Sequence, residues 1–315
     1  MLNCAPMNPT SPLSWDRRPL IGVVHLLPLP GAARAPGRAA DAMRAALDAA
    51  LFDAHALEAG GLDGIIVENF GDTPFHGERV PAATVAAMAA IAQELRRAVR
   101  LPLGVNVLRN DVNAALAVAA GCGLDFVRVN VHAGAMLTDQ GVLQGRAAET
   151  LAERRRLGAE HVLILADVLV KHAQPLAGDR ATLLPQLAED TFRRGMADAL
   201  IVTGAGTGKA AALGDVMAVR RAVPEAPVLV GSGVNDMTAR AVLDVAQGAI
   251  VGTWFKRDGM VDQPVDVERV RRFVLAARGP LDAPLDPADV AASGPALASS
   301  ASASASRARA RAKTE

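Results

Sequence analysis

The chain has 315 residues, 51% of them hydrophobic, and its 33 basic and 33 acidic side chains cancel to a net charge of zero. Such a chain can bury a large core, and its balanced charge removes any long-range pull toward nucleic acid or an anionic membrane. Two cysteines, Cys4 and Cys122, are too few for a disulfide framework, and no CxxC or Cys/His cluster suggests zinc.

The first residues, "MLNCAPMNPTSPLSWDRRPL", carry prolines at 6, 9, 12 and 19. They lack the basic start and apolar core of a signal peptide, so residues 1–19 read as an irregular lead-in and the expected setting is cytoplasmic. No later run reaches the roughly 18 apolar residues that span a bilayer, so no stable membrane insertion is expected.

From there short apolar runs alternate with amphipathic ones. The predicted strands are "IGVVHL" (21–26), "GIIVEN" (64–69), "PLGVNVL" (102–108), "FVRVNV" (126–131), "HVLILADV" (161–168), "ALIVTG" (199–204), "PVLVGSG" (227–233) and "GAIVGTW" (248–254). Continuous Val/Ile-rich runs of this length suit parallel strands buried on both faces. In the first intervening helix Met43, Leu47, Ala50, Leu51, Ala54 and Leu57 form one stripe, and Gly60 and Gly61 stop it. Eight βα units over residues 20–278 predict an α/β fold, a single (β/α)₈ TIM barrel; a doubly wound open sheet is the alternative.

Two strands show a phase. Val127, Val129 and Val131 alternate with Phe126, Arg128, Asn130 and His132; Leu103, Val105 and Val107 alternate with Gly104, Asn106 and Leu108. If the apolar sets face the helices, Asn106, Arg128, Asn130 and His132 point into the barrel and must form a polar network.

The last strands end in glycine turns. Barrels frequently hold phosphate in the loops after strands seven and eight. Gly231, Ser232 and Gly233, with Gly252 and Thr253, therefore predict an anion corner, to which "IVTGAGTGKAA" adds Thr203, Gly204, Gly206, Thr207 and Gly208. That stretch is not a P-loop, because Thr203 and Ala210 stand where the motif needs Gly and Ser or Thr.

"GGLDGIIVENFGDTPF" resembles the second strand and loop of the tryptophan synthase α-subunit family, whose strand-end glutamate does acid/base work; Glu68 takes that position. With no tyrosine and 3% aromatic residues, however, the chain offers little stacking surface for indole. Through "IGVVHLLPLPG", "VENFGDTPF", "GVNVLRND", "RVNVHAGA", "ADVLVKHA", "IVTGAGTG" and "VGSGV", residues 19–275 resemble the BtpA/SgcQ family more closely. That resemblance implies a cytosolic phosphate-binding barrel without an assigned reaction. The family's name comes from a proposed role in photosystem I biogenesis.

Strand ends supply the candidate chemistry. Glu68, Asp167 and His25 are the expected catalytic groups, with Asn106, Asn130, His132, Lys171 and Thr203 in the pocket and Asp72 nearby. Lys171 is also a Schiff-base candidate if desolvated. No cofactor is expected; His25, Glu68, Asp167 and His172 are the side chains open to a divalent metal, at no diagnostic spacing. The expected partner is a phosphorylated small-molecule substrate, not nucleic acid, and the chain is expected to form a homo-oligomer. An isomerase, aldolase or lyase of sugar phosphates is one reading; a non-catalytic assembly factor on the same scaffold is the other.

Residues 279–315 hold four prolines and the run "ASSASASASRARARAKTE", a composition too poor in bulky apolar groups to offset ordering, and read as a disordered tail. Cutting the chain after residue 279 is expected to leave the melting temperature within about 2 °C of the full chain. A larger drop in a thermal melt shows that the tail docks.

Overall fold

The computed structural model describes residues 11–176, 178–204, 206 and 210–278. The proposed tail and the first part of the lead-in, residues 1–10, lie outside them. Eight parallel strands close into a barrel: β1 (Leu20–His25), β2 (Gly64–Glu68), β3 (Leu103–Asn106), β4 (Phe126–Val129), β7 (Leu163–Val168), β9 (Ala199–Val202), β10 (Val228–Val230) and β11 (Ala249–Val251). Each falls within or beside a predicted run. Closure through the β1–β11 pairing, in register at Gly22 and Val251, rules out the open sheet.

Helices α1 (Ala39–Ala59), α2 (Ala82–Ala98), α3 (Val112–Cys122), α4 (Ala147–Arg156), α5 (Arg180–Glu189), α6 (Leu213–Ala222), α7 (Ala239–Val245) and α8 (Val267–Arg278) follow the barrel strands in turn. The stripe of α1 is rotated from the expected one. Ala42, Ala46, Ala50, Asp53, Ala54 and Leu57 are buried, while Met43, Leu47 and Leu51 sit at the flanks. Alanines let the helix lie close to the strands, and the larger side chains fill the space beside it.

The alternation in the strands separates two cores. Leu20, Val24, Ile65, Val67, Val105, Val127 and Val129 pack among the helices. Ile21, Val23, Ile66, Phe126, Leu165, Ala199, Ile201, Leu229 and Ile250 fill the barrel interior, joined by Leu13 from the lead-in. The described part of the lead-in is thus no loose arm: a 3₁₀ turn at Trp15–Arg17 holds Leu13 against the N-terminal end of the barrel. Inside, the ring of Phe126 occupies the space over Gly104; a Cβ on Gly104 would stand 2.1 Å from it.

Two features escaped the sequence. A three-stranded antiparallel sheet, β5 (Ala135–Thr138), β6 (Gly141–Gln144) and β8 (Ala173–Pro175), joins the loop after β4 to the loop after β7. Its strands are three or four residues long, too short for a periodicity to show. Asp53 of α1 also forms a buried ion pair with Lys256 and accepts the Val265 N–H at 2.7 Å, tying α1 to the segment after β11.

Gly104→Ala is expected to cost about 1–3 kcal/mol in urea unfolding, because Phe126 cannot keep its place. Adding Phe126→Leu should recover part of that loss. Simple additivity of the two substitutions would show that the ring does not depend on the glycine.

Candidate functional site

In the barrel the inward positions run from apolar to polar along β1, β2, β3, β4, β7 and β9, and end in glycine on β10 and β11. Val23 is followed by His25, Ile66 by Glu68, Gly104 by Asn106, Phe126 by Arg128, Leu165 by Asp167, Ile201 by Thr203, Leu229 by Gly231 and Ile250 by Gly252. Strand pairing sets His25 beside Glu68 and Glu68 beside Asn106. Polar side chains thus occupy the arc from β1 through β7, and Thr203 and two glycines the rest.

Arg128 organises that arc. Its Nε and Nη2 each donate to Asp167 at 3.1 Å, and its Nη1 donates to Glu68 Oε1 at 3.0 Å. Asn106 donates to Glu68 at 3.1 Å and Asn130 to Asp167 at 2.7 Å. All five are buried. Burial alone would raise the Glu68 pKa, but Arg128 and then Lys171 outweigh it and hold the carboxyl below its ordinary value. Burial likewise opposes the charge on Arg128, and Asp167 and Glu68 more than restore it. Glu68 is therefore an ionised carboxylate, not the raised-pKa acid that a water-excluding pocket suggests.

Two cavities of about 550 and 540 Å³ meet at Glu68, Arg128 and Lys171. The first runs from His25 to the glycine corner of Gly231, Ser232, Gly233, Gly252 and Thr253. The second is lined by Phe70, Phe75, Asn106, Arg109, Asn130 and His172. Lys171 lies between β7 and β8, in a turn whose Leu169 and His172 both have left-handed backbones, at φ 53° and 56°. Burial, then Arg128, lowers its pKa. Among the described residues it forms no ion pair.

Several expected residues hold other places. Asp167 lies behind Arg128 and lines neither cavity. The chain bends at Asn130, so the alternation ends before His132; its Nε2 pairs with the Gly195 carbonyl at 2.8 Å, away from the cleft. Thr203 is fully buried, with Oγ1 unpaired, and lines neither cavity. Asp72 is fixed by the Leu29 N–H at 2.8 Å and by Asn69 at 3.1 Å.

The glycines divide by role. The Gly231 N–H donates to Val202 at 2.9 Å, so it is not free for an anion. A Cβ there would lie 2.5 Å from Ile201, and one on Gly252 would lie 2.7 Å from the His25 ring; both positions make room for a neighbour. Gly233 has φ 69°, a turn that favours glycine. Among the described residues the N–H groups of Gly233, Val234 and Thr253 find no acceptor and are available to a ligand. Ser232 donates to the Gly206 carbonyl at 3.2 Å, which closes the β9 loop on this corner; Gly204 lies in an adjoining cavity beside His172 and Arg180. Thr207 and Gly208 lie outside the described residues.

Among the described residues no three His, Cys, Asp or Glu side chains gather as a metal-ligand set. The cation between Glu68 and Asp167 is the Arg128 guanidinium. No described helix is long and apolar enough to cross a membrane. Sequence reasoning missed Arg109, which follows the predicted third strand and is 4% exposed. Its signal was a single basic residue just past a strand end, in "GVNVLRND".

These features define a (β/α)₈-barrel protein with a ligand-sized polar cleft at the C-terminal ends of its strands. The model of the BtpA family matches residues 16–279, and the chain belongs to that family. It is 45% identical over 258 residues to the photosystem I biogenesis protein BtpA of Synechocystis sp., covering 82% of this chain and 87% of that protein. An uncharacterized protein of Pyrococcus furiosus is 43% identical over 262 residues, covering 83% of this chain and 95% of the relative. Among solved structures, a cube-shaped cage designed by fusing symmetric oligomeric domains matches the fold with a TM-score of 0.50 at 14% identity, over 83% of this chain and 73% of that one.

Burial, ahead of the neighbouring charges, lowers the His25 pKa to about 3. An unfolded histidine titrates near 6.5, so between those values the unfolded state holds the extra proton and stability falls as pH falls. Glu68 adds a loss at lower pH, when its depressed folded pKa is crossed. Urea midpoints should therefore drop between about pH 6.5 and 4, and His25→Gln should flatten that slope. An unchanged slope in the variant would mean that His25 titrates normally in the fold.

Proposed function

We propose that this protein is an enzyme acting on a phosphorylated sugar or a similar small phosphometabolite by proton transfer, in the manner of an isomerase, aldolase or lyase. One observation carries the reading: a single cleft joins unpaired backbone N–H groups at the glycine corner to Glu68 and Lys171. The corner would hold phosphate, since small side chains and open N–H donors suit an anion. The substrate carbons then lie over Glu68, Lys171 and His25.

Roles follow from charge. Glu68, held ionised, is the proton acceptor. Lys171, with its lowered pKa and no carboxylate partner among the described residues, stabilises a developing enolate oxygen or returns a proton to it. His25 is neutral at physiological pH, and its ring lies 4.7 Å from that of Phe70, tilted by 51°; as a neutral imidazole it is a hydrogen-bonding wall of the site. Asp167 is a positioning residue: it grips Arg128 with both oxygens and so fixes the guanidinium that holds Glu68.

The other reading is a non-catalytic assembly factor, suggested by the name of the Synechocystis relative. The comparable similarity of a Pyrococcus protein speaks against a role confined to photosystems.

Deuterium wash-in separates the two. Phosphorylated ketoses such as dihydroxyacetone phosphate and ribulose 5-phosphate, incubated with the protein in heavy water, should exchange a carbon-bound proton next to the carbonyl, read by proton NMR. Glu68→Gln should slow that exchange roughly 10²–10⁴-fold while preserving binding. Thr253→Asp should weaken binding of the same phosphates at least about tenfold in calorimetry, by placing a carboxylate where phosphate belongs. Absence of both binding and exchange across a panel of sugar phosphates leaves the scaffold reading.

A further inference from the structure

The second cavity contains a buried cation that the proton-transfer reading does not use. Arg109 is 4% exposed, yet among the described residues it forms no ion pair. Its Nη2 donates to the Lys171 carbonyl, and its Nε is buried with no partner. Arginine stays protonated in proteins, so this charge cannot be relieved by loss of a proton. A buried, uncompensated guanidinium is costly and calls for a counter-charge.

Burial lowers the Arg109 pKa, and among the described residues no carboxylate contacts it; Asp167, Asp139 and Glu68 favour its charge only from beyond ion-pair distance. Of the carboxylates lining the second cavity, Glu68 is engaged by Arg128, and Asp139 is exposed and accepts from Gln140 at 2.6 Å. Lys171, also unpaired, is the neighbouring cation. Counting Asp167 and the exposed Asp139, three carboxylates stand near the three cations Arg109, Arg128 and Lys171, but the two buried ones, Glu68 and Asp167, are both taken by Arg128. Among the described residues Arg109 and Lys171 are therefore left without a contacting carboxylate at the end of the cleft opposite the glycine corner.

Arg109 is also held in place. Its own N–H donates to the His76 carbonyl at 2.9 Å. The preceding Leu108 N–H donates to Asn69 at 2.7 Å, and Asn69 in turn donates to Asp72. The loop after β2 thus fixes the backbone beneath this side chain. Asn130, in the same cavity, has a buried and unpaired Oδ1, an acceptor suited to a hydroxyl.

We propose that Arg109 forms a second anion subsite, which takes the carboxylate of a phosphorylated sugar acid whose phosphate lies on the glycine corner. The planar fork of a guanidinium matches a carboxylate edge-on through Nε and one Nη. The hydroxylated carbons between the two ends meet Asn130, Glu68 and Lys171. The inference rests on the phosphate reading above and narrows its substrate class to molecules with an acid at each end.

Matched probes test it by calorimetry on the unmodified protein. 6-Phosphogluconate and glucitol 6-phosphate have the same length and differ at the far end only in carboxylate against alcohol; 4-phosphoerythronate and erythritol 4-phosphate form a shorter pair. In at least one pair the acid should bind at least about tenfold tighter. Arg109→Met should abolish that preference while leaving the polyol phosphate within about twofold, and Arg109→Lys should keep part of it. If polyol phosphates bind and neither acid gains, the Arg109 subsite is wrong and the phosphate corner stands. If no phosphorylated probe binds, the phosphate corner fails and this inference fails with it. The comparison of probes on the parent protein decides the matter even where a variant folds poorly.

Discussion

One guanidinium holding two carboxylates is the constraint on which the mouth of this barrel depends. Glu68 and Asp167 come from strands separated by β3 and β4, and both are buried. Burial alone would push the Glu68 carboxyl toward its protonated form, and Arg128 outweighs it. Arg128, rising from β4 between them, supplies three donated hydrogen bonds, and Asn106 and Asn130 supply one more to each carboxylate. Such networks are favourable only when satisfied, and this one is nearly so. The Asn130 Oδ1 is buried without a partner, in a residue that lines the cleft.

That network needs space, and the other side of the barrel yields it. Long side chains from β1 to β7 reach across the axis, while β10 and β11 present Gly231 and Gly252 at the same level. The Gly252 position is where the His25 ring fits, and a Cβ at Gly231 would meet Ile201 and lie 3.8 Å from Arg128. Absence of side chains on that arc also leaves the adjoining backbone open to the cleft. Packing and ligand access therefore share one cause, and a glycine here does not have to touch a ligand to matter. The small sheet acts on the opposite rim. By pairing β5 with β8 it pins the short stretch, residues 169–172, that carries Lys171 and His172.

The fold was legible because barrel strands are buried on both faces and leave continuous apolar runs, whereas the site was legible only in part. Inward alternation correctly brought Asn106, Arg128 and Asn130 into the barrel, since a regular strand fixes every second side chain. The same rule failed at His132, where the strand had already ended and the chain had bent. Asp167 reads in sequence as an equal of Glu68. It differs because Arg128 covers it, and which carboxylate a guanidinium covers is set by rotamer and by neighbouring strands, not by spacing along the chain. Asp53 and Lys256, 203 positions apart, had no local signal at all.

The sequence by itself determined the eight strands, their order of alternation with helices, the family, and the concentration of polar groups and glycines at strand ends. These depend on local burial patterns and short motifs, which are properties of consecutive residues. The tertiary structure alone decided that the barrel closes, that Arg128 links Glu68 with Asp167, that the Gly231 N–H is spent in the sheet, and that Arg109 and Lys171 share a cavity with no carboxylate among the described residues in contact with either. Each of these is a relation between segments far apart in the chain. Only the curvature and stagger of the closed sheet bring them within reach, and hydrogen bonds and charges act over a few ångströms.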